Sequence, residues 1–350
     1  MTKDIYDITI IGSGPAGLFS AFYAGLREMK TKILEGNPEL GGKVKVYPQK
    51  MVWDVGGVKP VTGQQLIDDS IEQALTFDPA VELNTIVTGI SKDDDGIFNI
   101  HTESKTVHYS RTVIVAIGGS GIISHQKIDV PSAESYEGKG LHYTVFDVKD
   151  FDNKDVLVSG GGPTAVDWGN DLAPNARSLT LIYRGDKVRA LEADITRMQN
   201  NGVRMITNTE IVDFNGHNEV SSVKLYNNKT GEHYEQEYDA VLINHGYNKD
   251  NLLFKENKID IELVDNFYIP ASSTGETKVE GVYAAGDCVK YPGKVHLIAG
   301  AYQDAVNAVN NAKLFIQPDA HKTAEVSSHN HILDEKNMKY MYSEETLKNQ

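Results

Sequence analysis

The sequence predicts an α/β fold made of two copies of one supersecondary unit, and three observations carry that reading. A β-branched strand, Tyr6-Asp7-Ile8-Thr9-Ile10-Ile11, runs into Gly12-Ser13-Gly14-Pro15-Ala16-Gly17 and then a helical stretch. The same order recurs at Asp155-Val156-Leu157-Val158-Ser159, followed by Gly160-Gly161-Gly162-Pro163-Thr164-Ala165 and a second helical stretch. The chain has 350 residues, 40% hydrophobic and 24% charged. At about 150 residues per domain that is two ordinary globular domains with real cores.

Composition also excludes several functions. Lys+Arg 34 against Asp+Glu 49 leaves a net charge of −15, which argues against general nucleic-acid or anionic-membrane binding. No apolar run approaches the roughly 18 residues that a membrane helix needs. Met1-Thr2-Lys3-Asp4 leads straight into a strand, without the features of a signal peptide. The single cysteine, Cys288, excludes an internal disulfide and an intramolecular CxxC pair. A cytoplasmic protein is expected.

Along the chain, the first helix should run to about Arg27, and the next strand, Thr31-Lys32-Ile33-Leu34, ends at Glu35. Residues 37–60, rich in Gly and Pro, read as an irregular loop. A helix is predicted from Gly63 to Thr76, with Leu66, Ile67, Ile71 and Leu75 on one face. Strands and hairpins fill 81–115, turning at Asp93-Asp94-Asp95-Gly96, a solvated turn and not a metal site. Thr112 to Ile117 forms a further buried strand. The second unit's helix reaches about Leu172, its next strand is Leu179 to Tyr183, and strand-like segments continue to Ile243. The last third holds Val282-Tyr283-Ala284-Ala285-Gly286-Asp287, a helix from about Leu297 to Phe315, and a polar, histidine-rich tail beyond Pro318.

The two turns carry the chemistry. In the first, Gly12 permits the tight turn, Gly14 admits a pyrophosphate, and Gly17 lets the helix pack against the strand. Pro15 and Ala16 open that helix, whose N–H groups and dipole favour phosphate. Glu35 lies 23 residues after Gly12, where a carboxylate accepts from ribose hydroxyls. The second turn has Gly160, Gly162, Pro163, Thr164 and Ala165 in the corresponding places. Its strand ends at Arg184, with Lys187 and Arg189 close behind and Asp186 among them. A carboxylate there would repel a 2′-phosphate, whereas guanidinium groups bind it in pairs. The same cluster could also be an ordinary solvated basic loop. Two dinucleotide sites in one chain suggest a flavin and a nicotinamide cofactor: FAD at the first turn, NADP at the second.

Further motifs are Leu40-Gly41-Gly42-Lys43, Tyr47-Pro48, Leu141-His142-Tyr143, Val166-Asp167-Trp168 and Gly281 to Asp287. In this order and spacing the whole chain resembles the flavoproteins of the thioredoxin reductase type. More closely, it resembles the thioredoxin-reductase-like ferredoxin/flavodoxin–NADP reductases of bacteria. It departs from thioredoxin reductases where they carry a CxxCD pair, because Tyr143-Thr144-Val145-Phe146-Asp147 stands there. Without a dithiol the chain cannot relay electrons to a disulfide in that way.

The resemblance implies two Rossmann-like domains. A discontinuous FAD domain, 1–116 and 249–350, would include a flavin-covering tail, and 117–248 would bind NADPH. It implies flavin contacts from Gly42 and Lys43, the latter in place of the usual glutamine, and a stacking ring from Tyr47. Val87 and Ile122 would line the adenine and flavin pocket, Asp287 would bond a ribityl hydroxyl, and the Ser328 segment would lie over the flavin. Glycines near 118–121 and 244–247 could serve as hinges. No side-chain acid, base or metal is required, since the flavin does the chemistry. The implied activity is electron transfer from NADPH through FAD to ferredoxin or flavodoxin, in a homodimer. Lys43, Lys45, Lys50 and Lys59 are the candidate docking charges for an acidic carrier. Two rivals share these residues: a flavin reductase acting on quinones or other small acceptors, and a low-turnover redox-sensing protein that binds FAD and NADPH.

Overall fold

A computed structural model describes residues 3–121, 124–248 and 252–341. The chain divides into two units, residues 1–45, 51–122 and 249–350 in the first and 46–50 with 123–248 in the second. The first unit therefore extends to 122 and not 116. The five residues Val46–Lys50, expected with the first domain, pack with the second.

The first unit begins with β1 (Ile5–Ile11), α1 (Pro15–Leu26) and β2 (Thr31–Leu34). A hairpin of β3 (Met51–Val52) and β4 (Val61–Thr62) leads into α2 (Gly63–Ala74), whose first turn is capped by the Thr62 hydroxyl. Strands β5 (Ala80–Glu82), β6 (Val87–Lys92), β7 (Phe98–Thr102) and β8 (Val107–Val115) follow. The second unit contains α3 (Ala133–Tyr136), β9 (Leu141–His142), β10 (Asp155–Ser159), α4 (Pro163–Leu172), β11 (Ser178–Tyr183), α5 (Glu192–Asn200) and β12 (Arg204–Thr207). It closes with β13 (Thr209–Gly216), β14 (Val220–Asn227), β15 (Glu232–Glu237) and β16 (Ala240–Ile243). The first unit resumes with α6 (Leu252–Lys255), β17 (Ile269–Pro270), β18 (Val282–Ala284), β19 (Val289–Lys290), α7 (Ile298–Ile316) and α8 (Asp334–Met341).

The first unit's main sheet has the order β5-β2-β1-β8-β7-β6, and β18 also pairs with β8. Strands β5, β2, β1, β8 and β18 are mutually parallel, so the β-rich runs are apolar on both faces, and Ile8, Ile10, Ile33, Val113 and Ile114 are fully buried. β8 is a single nine-residue strand, longer than the Thr112–Ile117 segment expected from the sequence. Its first half pairs with β7 and its end with β18. α1 packs against α7 over this sheet.

In the second unit, β12-β11-β10-β16-β9 form a parallel sheet, and β13-β14-β15 an antiparallel one. One core holds Val156, Val158, Ala165, Trp168, Leu181 and Met198. The other, which includes Leu157, Ile182, Phe214 and Val223, joins the two sheets. α5 lies where the sequence suggested only strand-like segments. Among the described residues, no helix is long and apolar enough to cross a membrane.

Candidate functional site

The first glycine turn is built where β1 ends against its neighbours. The Gly12 N–H donates to the Leu34 carbonyl (2.8 Å) and the Ala116 N–H to that of Ile11 (2.8 Å). Gly12 has φ +100°, and a Cβ there would stand 2.5 Å from the Ala116 carbonyl oxygen. Gly17 has no room for a side chain because the Gly12 carbonyl fills the space. Gly14, the N-cap of α1, faces open space instead, and Pro15 takes the first helical position, where its missing N–H costs nothing.

Glu35 is 5% exposed and sits against this turn. Its Oε2 accepts from the Ser13 N–H (2.9 Å) and hydroxyl (2.5 Å). Its Oε1 accepts from the Asn37 N–H (2.8 Å) and side-chain amide (2.7 Å). The Gly41 N–H donates to the Ser13 carbonyl (3.1 Å), and a Cβ on Gly42, at φ +58°, would meet Gly14 Cα at 2.7 Å. On the other side, a Cβ on Gly286 would lie 2.9 Å from that of Ala16, and one on Gly119 would lie 3.6 Å from that of Asp287. Gly12 to Gly17, Glu35, Gly42 and Asp287 thus converge. The side-chain-free approach over Gly14 is the space a pyrophosphate requires, and the residues present fit a dinucleotide.

The remaining expected contacts are placed less uniformly. Lys43 is exposed on the 3-10 turn Gly42–Val46. Val87 has its side chain in the same core cluster as Leu34, and its backbone lies in β6 opposite Thr102 of β7. Tyr47 falls in the 46–50 segment of the second unit, and Ile122 lies outside the described residues. Ser328 is exposed, its hydroxyl 3.4 Å from His329 Nδ1. The tail around it is tied to the far end of α1. Arg27 donates to Asn310 Oδ1 (2.9 Å) and the His321 carbonyl (2.5 Å), and Ala324 N–H to the Tyr23 hydroxyl (3.2 Å). Lys336 lies over the Phe77 ring. The tail is thus anchored at Tyr23 and Arg27, about 12 to 18 Å along the helix axis from Pro15 at 1.5 Å per residue.

The second turn repeats the plan with different strand-end chemistry. A Cβ on Gly160 would meet the Asn244 carbonyl at 2.5 Å, while Gly162 caps α4 and faces open space. Ala165 is 1% exposed, where the first turn has Gly17. Pro163 and Thr164 are exposed on the first turn of α4. Arg184 follows β11 and is exposed, and the Arg189 N–H donates to the Gly161 carbonyl (2.7 Å), folding the basic loop onto the turn. The Ser159 hydroxyl is 2.9 Å from His245 Nε2, and burial, then the Arg184 charge, holds that imidazole's pKa below its usual value. Asn244 Nδ2 is buried with no hydrogen-bond partner, a donor for an incoming acceptor. These residues fit a phosphorylated nicotinamide nucleotide.

Two expectations need correction. Lys45 pairs with Glu39. Lys50 pairs with Asp167 (2.8 Å) and Asp171 (2.5 Å) and lies over the Trp168 ring, so its charge is spent inside the second unit. Lys59 is exposed. In place of a CxxC pair, Val145 is buried, Phe146 is 70% exposed, and the Thr144 hydroxyl lies 2.7 Å from His125 Nε2. Sequence reasoning also missed Ser13 and Asn37, which hold Glu35, and Asp304, which accepts from the Gly286 N–H. Asp304 left a readable signal: a carboxylate within the apolar stripe Ala301, Ala305, Ala308 and Ala312 of α7.

A protein with two such turns, one ending in a buried acid and the other in exposed guanidinium groups, is a dinucleotide-handling oxidoreductase. Residues 6–312 match the pyridine nucleotide-disulphide oxidoreductase family. Ferredoxin–NADP reductase 1 of Bacillus licheniformis is 49% identical over 338 residues, 96% of this chain and 97% of that protein. Its counterpart in Bacillus anthracis is 48% identical over the same shares. Among solved structures, thioredoxin reductase of Lactococcus lactis superposes with a TM-score of 0.73 at 28% identity, covering 89% of this chain and 99% of that one. The chain belongs to the pyridine nucleotide-disulphide oxidoreductase family and, within it, to the ferredoxin–NADP reductases.

Cys288 is fully buried, its Sγ 3.4 Å from the Val115 and Ala285 carbonyls, and burial pushes its thiol up to about 12. A thiol of that kind is inert at neutral pH. Dithionitrobenzoate should therefore read no thiol in the native protein and one per chain in guanidinium, because the sequence has one cysteine. Rapid labelling of native protein would contradict this burial.

Proposed function

We propose that this protein passes electrons from NADPH through FAD to ferredoxin or flavodoxin. It is an FAD-dependent oxidoreductase of the ferredoxin–NADP reductase kind, and FAD and NADP(H) are its cofactors. Bound FAD supplies the exchange between a nicotinamide's electron pair and a carrier's single electrons. The observation that carries the reading is the opposite chemistry of the two strand ends, a buried Glu35 and an exposed Arg184. We assign FAD to the first unit and NADPH to the second.

In the first unit the α1 N-terminus and Gly14 receive the pyrophosphate. Glu35, positioned by the Ser13 and Asn37 backbone N–H groups, accepts from the ribose in exchange for a side-chain donor, the Ser13 hydroxyl or the Asn37 amide. Asp287, its side chain 44% exposed and its Oδ1 3.5 Å from His296 Nδ1, is accessible to the ribityl chain. In the second unit Gly162 and the N-terminus of α4 take the pyrophosphate, Asn244 donates from the C-terminal end of β16, and Arg184 and Arg189 meet the 2′-phosphate. The 48–49% identity to curated ferredoxin–NADP reductases and the missing thiol pair support a one-electron carrier over a disulfide substrate. The reaction draws on the cytoplasmic NADPH pool, so we place the protein there, as a homodimer. Sedimentation at twice the chain mass would support that assembly.

Two experiments test the proposal. Under anaerobic conditions NADPH should drive reduction of ferredoxin or flavodoxin and leave thioredoxin oxidised. Efficient thioredoxin reduction by the pure protein, or reduction of quinones with no response to either carrier, would contradict it. The second concerns the arginines. Charge-assisted bonds contribute about 1.5–3 kcal/mol each, so Arg184→Ala or Arg189→Ala alone should raise the KM for NADPH by roughly ten- to a hundredfold, and the double variant by more than either. The KM for NADH should hardly move, because it lacks the phosphate. A double variant that keeps its NADPH preference would remove these residues from the site.

A further inference from the structure

Behind the first turn lies a buried ion pair that neither the motif nor the cofactor chemistry calls for. The side chains of Asp304 and Lys294 are 2% and 3% exposed, and Lys294 Nζ is 2.9 Å from Asp304 Oδ2. Three segments meet on this one carboxylate. Oδ2 also accepts from the Gly286 N–H (2.9 Å), and Oδ1 accepts from the Tyr291 hydroxyl (2.7 Å). Lys294 donates in addition to the Val295 carbonyl (2.9 Å). Burial and the Asp304 charge push the Tyr291 hydroxyl up to about 12, so it remains a donor at physiological pH.

With its near oxygens occupied from within the chain, Asp304 is not itself a ligand. A buried pair of this kind adds little net stability over apolar residues of the same size, so its contribution lies in geometry. The geometry it fixes is local to the turn. Gly286, at φ +82°, lies against Ala16 in the first turn of α1, and Asp287 follows it directly. Residues 291–297 run from Tyr291 to Leu297, the N-cap of α7, which has no side-chain cap of its own. Asp304 therefore holds both Asp287 and the open start of α7 from a position one to two turns inside that helix.

We propose that Asp304, with Lys294 as its counter-charge, is a positioning residue for the flavin: it sets Asp287 and the α7 N-terminus where FAD must meet them. The proposal rests on the reading of the first turn as an FAD site. Its consequence reaches beyond affinity: His296, just before the α7 N-cap, has its Nδ1 3.5 Å from Asp287 Oδ1, so the site that holds Asp287 also holds a helix N-terminus, which favours the more negative, reduced form of a flavin bound there.

The test titrates apoprotein with FAD and measures the flavin midpoint potential in the reconstituted protein. Lys294→Met with Asp304→Leu leaves no unpaired buried charge, so folding should persist. Its FAD dissociation constant should rise at least tenfold and its potential become more negative, with Asp304→Glu in the Lys294 background restoring most of both. Tyr291→Phe removes only one hydroxyl and keeps the test open if the double variant does not fold; it should weaken FAD about threefold. A folded double variant, or failing that Tyr291→Phe, with wild-type FAD affinity and potential would overturn the proposal. If wild-type apoprotein binds no FAD, the FAD reading itself falls and this inference with it.

Discussion

The carboxylate of Glu35 is the joint on which the first site depends. It closes the end of β2 onto the glycine turn through both Ser13 donors and holds the outgoing chain through both Asn37 donors. A carboxylate this buried is tolerated because four short bonds replace its water. The same strand end is held from outside as well: the Glu35 N–H donates to Glu82 (2.9 Å), and its carbonyl accepts from Thr85 (2.8 Å). Ribose recognition is thus prepared before any ligand arrives, with the acid's position settled by backbone groups of three segments.

Set beside it, the second site uses the same turn with fewer side-chain constraints. Its strand end carries no acid, and the loop 184–189 is held by backbone bonds from Arg189 to Gly161 and from Asn208 to Gly185. The guanidinium groups remain in solvent, where they can adjust to a phosphate. A site that releases its nucleotide each cycle benefits from that exposure, whereas a resident cofactor is served by a buried, fully bonded acid. The contrast between Glu35 and Arg184 therefore separates the resident cofactor from the exchanging one as well as their chemistry.

Much of this was legible in the sequence because it is local. Strand β1, helix α1 and strand β2 are contiguous, and a glycine turn between a β-branched run and a helix has one geometry. The two strand ends were found by counting along the chain. What escaped was long-range. Helix α5 follows the loop that carries Arg184 and Arg189 and has little apolar periodicity; packing against α4 and Met198 in the core hold it. Lys50 looked like a loop charge until Asp167 and Asp171 claimed it across more than a hundred residues. The tail's place on α1 depends on Arg27, which reads as an ordinary C-terminal helix cation but is 6% exposed beneath His321. Asp304 was visible as an acid in an apolar stripe, but its partners Gly286, Tyr291 and Lys294 come from a loop with no periodic signal.

The account's central claim is that the Glu35 carboxylate is what makes the first turn an FAD site, and the direct measurement is FAD affinity of Glu35→Gln apoprotein. A glutamine presents one acceptor and one donor, so it cannot accept from Ser13 and Asn37 at once or offer the ribose a charged oxygen. The account predicts a dissociation constant raised by about ten- to a hundredfold, with a native far-ultraviolet spectrum. A folded Glu35→Gln protein that binds FAD as tightly as wild type would contradict it.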